Sequence, residues 1–140
     1  MAEMSQEQIN AHVIGQFRAG GEVDGMHRER LLLLTTTGRS SGEPRTAPMM
    51  FHLDPGDPPR HVVIASAAGA LQDPSWFRNL VADASVHVEL ADEEYDARAV
   101  VATGSERDRL WTAITSAHPF FLDHQAKAGR TIPLVVLERV

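Results

Sequence analysis

The chain has no cysteine, which excludes disulfides, thiolate nucleophiles and cysteine-ligated zinc or iron. Nothing marks an oxidising compartment, so a cytoplasmic protein is the expectation. A long apolar run is also missing. Met1 to Asn10 carries Glu3 and Glu7, so this stretch reads as neither a signal peptide nor a membrane span. Positive charge is in deficit: 13 Lys and Arg against 19 Asp and Glu give a formal net charge of -6. The average field of such a chain repels a nucleic-acid backbone. Seven histidines are present, but none has a spacing such as His-Glu-x-x-His, and His118 and His124 have only Asp123 as an acidic companion, so no metal is expected. The glycine-bounded turns lack the lysine of a Walker loop, and Ser40, Ser41 and Ser66 lack the Gly-x-Ser-x-Gly elbow of serine hydrolases. Internal repeats, low-complexity tracts and a second domain are absent as well. A chain of 140 residues is one domain by size, residues 1–140, able to bury roughly 70% of its unfolded surface.

What is present begins with Leu31 to Phe51. Four leucines and three threonines suit a buried strand. Gly38 and Gly42 then bracket a polar turn, and a second strand follows. Backbone N–H groups and the hydroxyls of Ser40 and Ser41 are expected to converge there on an anion, with Arg39 and Arg45 supplying charge. A plain hairpin with solvated arginines is the competing reading. A second segment, Val62 to Leu80, places a strand before a small-residue loop and then a helix, for which Asp73 is the expected N-cap and Pro74 the first residue.

Around these, Ile9, Val13, Ile14 and Phe17 recur at helical spacing and predict an amphipathic helix from about Ser5 to Arg18, packed across one end of a barrel and stopped at Gly20-Gly21. Its polar face lacks the basic residues that anionic lipid favours, so peripheral membrane contact is the minor reading. Glu22 to Arg30 reads as a linker. Ser85 to Leu90 and Glu94 to Val101 form an antiparallel hairpin with His87 and Glu89 on its solvated face. Ser105 and Asp108 open a helix whose buried stripe is Leu110, Trp111 and Ile114. Ile132 to Glu138 is the closing strand.

Two of these segments, with two shorter pieces, resemble the deazaflavin-dependent nitroreductase family of split β-barrel oxidoreductases. The resemblance lies in TTTGR-x-SG-x-x-R-x-x-P from Thr35 to Pro48, and in S-x-x-G followed by P-x-W-x-x-N-L from Ser66 to Leu80. Phe17 to Gly21 and Gly129-Arg130-x-Ile132-Pro133 extend it over almost the whole chain. It implies a mainly β (α+β) fold, an FMN-binding-like split barrel of antiparallel strands with flanking helices, the N-terminal helix in residues 1–20 and the barrel in 29–140. It also implies coenzyme F-420 as cofactor and hydride transfer to a small, planar, electron-poor acceptor such as a quinone, an enone or lactone, or a nitroaromatic.

By the same resemblance, Thr37, Arg39, Ser40, Ser41, Gly42 and Arg45 take the phosphate and acidic tail of the coenzyme. Pro48 and Met49 line the ring pocket. Ala65, Ser66, Ala67, Ala68 and Gly69 let backbone N–H groups approach ring oxygens, and Trp76 and Asn79 cap the site. Two departures stand out: Ser40 and Ala67 occupy positions where relatives often carry a basic residue, which removes two charges from the anion site. Relatives also often carry tyrosines where His118, Phe121 and His124 stand. Charge left on an acceptor oxygen after hydride delivery needs a proton donor, and an imidazole with an ordinary pKa of about 6.5 supplies one near neutral pH. His124, with His118 as the alternative, is therefore the candidate catalytic residue. The rival readings are an FMN-dependent split-barrel oxidoreductase and a non-catalytic flavin or deazaflavin carrier. The partner expected is a small molecule, and the assembly a monomer or homodimer.

Overall fold

The computed structural model describes residues 5–20, 22–23, 28–56, 58–66, 69 and 71–140. The expectations for Gly21, for part of the 22–30 linker, and for Ala67 and Ala68 lie outside the described residues. Six strands, β1 (Leu31–Thr37), β2 (Pro44–Asp54), β3 (Arg60–Ile64), β4 (Ser85–Glu89), β5 (Glu94–Val101) and β6 (Leu134–Arg139), close a barrel in the order β1-β2-β3-β6-β5-β4. Every pairing is antiparallel. Four helices flank it: α1 (Gln6–Ala19), α2 (Ser75–Ala82), α3 (Gly104–Ala117) and α4 (Phe120–Ala128). The mainly β, split-barrel expectation describes this architecture.

Alternation explains the placement of each strand. Successive side chains point to opposite faces, and in β1 both faces are covered. Leu32 and Leu34 join Val63, Val88, Tyr95, Val135 and Leu137 in the barrel interior, while Leu31 and Leu33 turn outward onto Val13 and Phe17 of α1 and onto Val23. The same division holds in β6, where Val135 and Leu137 fill the interior and Leu134 and Val136 pack against Leu110 and Ile114 of α3 and Phe121 of α4. β5 has only one covered face and alternates strictly between exposed and buried until its last two residues.

Three expectations need correction. α1 lies along the outward face of β1, with Met50 of β2 beside it, rather than across a barrel end, because the outward leucines offer it an apolar surface there. Ile9, at the edge of that stripe, stays 41% exposed. α1 begins with a capping box in which Ser5 and Gln8 bond each other's backbone. α2 is capped by Pro74, with no side-chain cap, because the Asp73 carboxylate is engaged by Arg130 at 2.6 Å. α3 has Thr103 rather than Ser105 as its N-cap, two residues earlier than expected, and again no side-chain cap bond. Trp111 is half-buried at the edge of the outer cluster, with the Arg107 guanidinium 5.0 Å from its ring.

His87 and Glu89 occupy the solvent-facing side as expected. His87 Nδ1 is 2.8 Å from Asp96, which raises the imidazole pKa, and Glu89 receives two bonds from Arg18.

Candidate cofactor cleft

The turn between β1 and β2 is held from inside. Gly42 N–H donates to the Gly38 carbonyl and Gly38 N–H to that of Glu43, both at 2.8 Å. The Glu43 N–H donates to Ser41 Oγ, and Arg39 N–H to Asn79 Oδ1. Three of the turn's backbone donors are thus consumed within the turn and a fourth by Asn79, leaving Ser40 and Ser41 as its N–H groups without a partner among the described residues. Gly38 is required by crowding, since a Cβ there would stand 2.5 Å from Ser41 Oγ and 3.2 Å from the Glu43 carbonyl. Gly42 is required by its φ of 72°.

Asn79 links this turn to the barrel. It is 4% exposed, donates from Nδ2 to Thr36 Oγ1 at 3.2 Å, and accepts from Arg39 Nη1 at 2.7 Å. Arg39 Nη1 is also 3.4 Å from the Ser75 carbonyl. The guanidinium is therefore pinned at the start of α2. Arg45, one strand away, makes no ion pair or hydrogen bond among the described residues. Beneath them Thr35 and Thr46 share a hydroxyl bond of 2.7 Å across the β1–β2 ladder.

These groups open onto a cleft of about 830 Å³ lined from β2 by Arg45, Thr46, Ala47 and Pro48, from the turn by Gly38 to Ser41, and from α2 by Pro74, Ser75, Trp76 and Asn79. Of the expected residues, the cleft brings together Arg39, Ser40, Ser41, Arg45, Pro48, Trp76 and Asn79. Thr37 and Gly42 belong to the turn without lining the cleft. Met49 turns toward the barrel interior and packs against its core. Ala65 and Ser66 are buried directly after β3, and Gly69 sits against α4, where a Cβ would be 3.2 Å from the His124 carbonyl.

His118 and His124 lie apart from the described lining, in an aromatic group with Phe120 and Phe121. The Nδ1 atom of His124 is buried with no hydrogen-bond partner among the described residues. His118 faces His52, whose pKa is lowered chiefly by burial.

Two lining residues escaped the sequence reading. Glu7 and Asn10 of α1 border the cleft. Asn10 stands three and seven residues before Val13 and Phe17, on the same side of the helix, and Glu7 precedes it by one turn, so the polar start of the apolar stripe reaches the cleft, a register that the spacing shows without saying what it overlooks.

The model of the F420H(2)-dependent quinone reductase family matches residues 8–139. The chain belongs to that family. A Mycobacterium tuberculosis protein assigned to the same family is 35% identical over 106 residues, spanning 76% of this chain and 87% of its own length. A solved F420-H2 dependent reductase superposes with a TM-score of 0.69 at 32% identity, covering 81% of this chain and all of its own. A third relative, described as a domain-swapped dimer, has a TM-score of 0.71 at 31% identity over 89% of this chain and 93% of its own. F-420 is the family's cofactor, and the family's members are F-420-dependent oxidoreductases. The residues present suit it: a pinned arginine, a second arginine with no side-chain partner among the described residues, two serines and a half-buried tryptophan share one open cleft. No helix among the described residues is long and apolar enough to cross a membrane, and no group of three His, Asp or Glu there could hold a metal ion.

Proposed function

We propose that this protein is an F-420-dependent reductase of quinone-type acceptors, and that the cleft between the β1–β2 turn and α2 holds the coenzyme. The observation that carries this reading is the Arg39–Asn79–Thr36 chain beside Arg45, whose side chain has no partner among the described residues. It places two cations at the mouth of a cleft in an otherwise acidic molecule. The reduced deazaflavin supplies a two-electron hydride donor.

The chain's own residues bind and orient. Arg39, Arg45 and the Ser40 and Ser41 groups hold the phosphate and acidic tail by charge-assisted bonds, with Thr37 and Gly42 shaping the turn that presents them. Pro48 and Trp76 bound the ring side of the cleft, backed by Met49. Ala65, Ser66 and Gly69 offer backbone close to the ring. His124, or else His118, holds the proton that an acceptor oxygen needs.

The test is to mix the protein with reduced F-420 and a panel of quinones, enones and nitroaromatics and to follow the return of the oxidised chromophore. Acceptor-dependent turnover is expected. Stoichiometric FMN in the purified protein would favour a flavin enzyme, and uptake of F-420 without turnover would favour a carrier. F-420 is expected to bind at least about tenfold more tightly than FMN, about 1.4 kcal/mol. The cysteine-free sequence suits a cytoplasmic protein. A homodimer is the assembly to look for by sedimentation, given the relative described as a domain-swapped dimer.

A further inference from the structure

Arg130 follows α4 directly, after the left-handed Gly129, and its side chain is 16% exposed. The guanidinium reaches the loop between β3 and α2. Nη1 donates to Asp73 Oδ1 at 2.6 Å, while Nη2 lies 3.2 Å from the Ala65 carbonyl and 3.3 Å from those of Ser66 and Gln72. One side chain therefore gathers both ends of the segment 65–73. A planar fork of fixed donors can do this, and a lysine ammonium on a flexible stem cannot reproduce it.

The consequence follows from peptide geometry. In a trans peptide the carbonyl and the following N–H point in opposite directions. Drawing the Ala65 and Gln72 carbonyls to Arg130 turns the N–H groups of Ser66 and Asp73 away from it. From the other side α4 closes on the loop: Gly69 has a φ of 84°, and a Cβ there would meet Lys127 Cδ at 3.1 Å and the His124 carbonyl at 3.2 Å.

We infer that Arg130 is a positioning residue that fixes Ala65, Ser66, Gln72 and Asp73 before the coenzyme arrives, so that the N–H groups of Ser66 and Asp73 face the deazaflavin ring. This rests on the cofactor reading proposed above and adds a division of labour to it. Arg39 and Arg45 hold the tail, and Arg130 acts on the ring through the loop.

The test compares the full-length parent with Arg130→Gln, Arg130→Lys, Asp73→Asn and Arg39→Ala. Three quantities are read: amide hydrogen exchange at Ser66 and Asp73 without cofactor, the Kd of oxidised F-420, and the Kd of the deazaflavin alcohol that lacks phosphate and tail. Arg130→Gln is expected to speed exchange at those two amides while leaving the barrel strands unchanged, and to weaken both ligands about tenfold. Arg130→Lys is expected to fall between it and the parent. Arg39→Ala is expected to weaken only the tailed coenzyme.

A folded Arg130→Gln protein that binds both ligands as the parent does, or that loses only the tailed one, overturns the inference. Should that variant fail to fold, Asp73→Asn, which keeps the carbonyl contacts, decides: weaker binding of both ligands upholds the inference and parental binding overturns it. A parent chain that binds no deazaflavin overturns the proposed function as well. A binding parent with an equally binding Arg130→Gln overturns this inference alone.

Discussion

Asn79 concentrates the coupling between the turn and the barrel in one amide: Oδ1 accepts from the backbone and the guanidinium of Arg39, and Nδ2 donates to Thr36. Truncating a buried group of this kind strands its partners. Asn79→Ala is therefore expected to lower stability by about 1 to 3 kcal/mol, read by urea unfolding, and to weaken F-420 binding because Arg39 loses its anchor. Arg45→Ala removes charge from the cleft, and Arg39→Ala removes charge together with the bonds to Asn79 and the Ser75 carbonyl. Both side chains are exposed, so solvent screening reduces their contributions, and each substitution is expected to raise the Kd for F-420 about tenfold and to flatten its dependence on salt. Calorimetric titration at two ionic strengths checks this, and parental affinity in both variants would dismiss the anion site. His124→Phe is expected to lower turnover while leaving F-420 affinity nearly intact. Unchanged turnover would pass the proton role to His118 or to solvent.

At the scale of the element, the β1–β2 turn shows why two glycines of one motif are needed for different reasons. Gly38→Ala forces a Cβ into Ser41 Oγ, and Gly42→Ala imposes a positive φ on an alanine, at roughly 1 kcal/mol or more. Both should weaken F-420 binding more than they lower Tm, since the turn lies at the cleft rather than in the core. Parental affinity in both, by calorimetry, would count against the turn as the anion site. The strands were legible in the sequence because β-branched and apolar runs mark buried strands locally. The Glu94–Val101 strand is read with the same bounds from both. What could not be read locally was the choice of partner. Asp73 has the character of an N-cap, but Arg130, fifty-seven positions away, takes its carboxylate. The stripe of α1 was visible, whereas the surface it covers depends on the outward leucines of β1. Likewise, turn N–H groups that the motif alone aims at an anion are partly spent on the turn's own carbonyls.

Across the whole molecule, acid stability separates the half-buried histidines from Asp54, the carboxylate that ties β2 to β3 and α3. Burial lowers the pKa of His52 and His61. Their neutral forms are favoured by folding, so stability falls as the pH drops below the ordinary imidazole range. His87 is raised by Asp96 and Glu94, so its contribution has the opposite sign: present at low pH and lost as the pH rises through its pKa. The larger step lies lower. Asp54, 3% exposed, accepts from both guanidinium nitrogens of Arg109 and from Arg60, and the Arg109 hydrogen bond leads in holding its carboxyl at about 2. A carboxylate depressed below its unfolded pKa of about 3.9 contributes stability that is full above that value and is lost as the pH falls through about 2. The shift corresponds to roughly 2 kcal/mol. The Arg109 side chain is 54% exposed, so that figure belongs to the buried carboxylate and is an upper value for the pair. Asp54→Asn is expected to remove it, lowering the urea midpoint at pH 7 and flattening the loss of stability between pH 4 and 2. Denaturant titrations of parent and variant across that interval measure both effects. Parallel curves would show that the acid transition is set by another group.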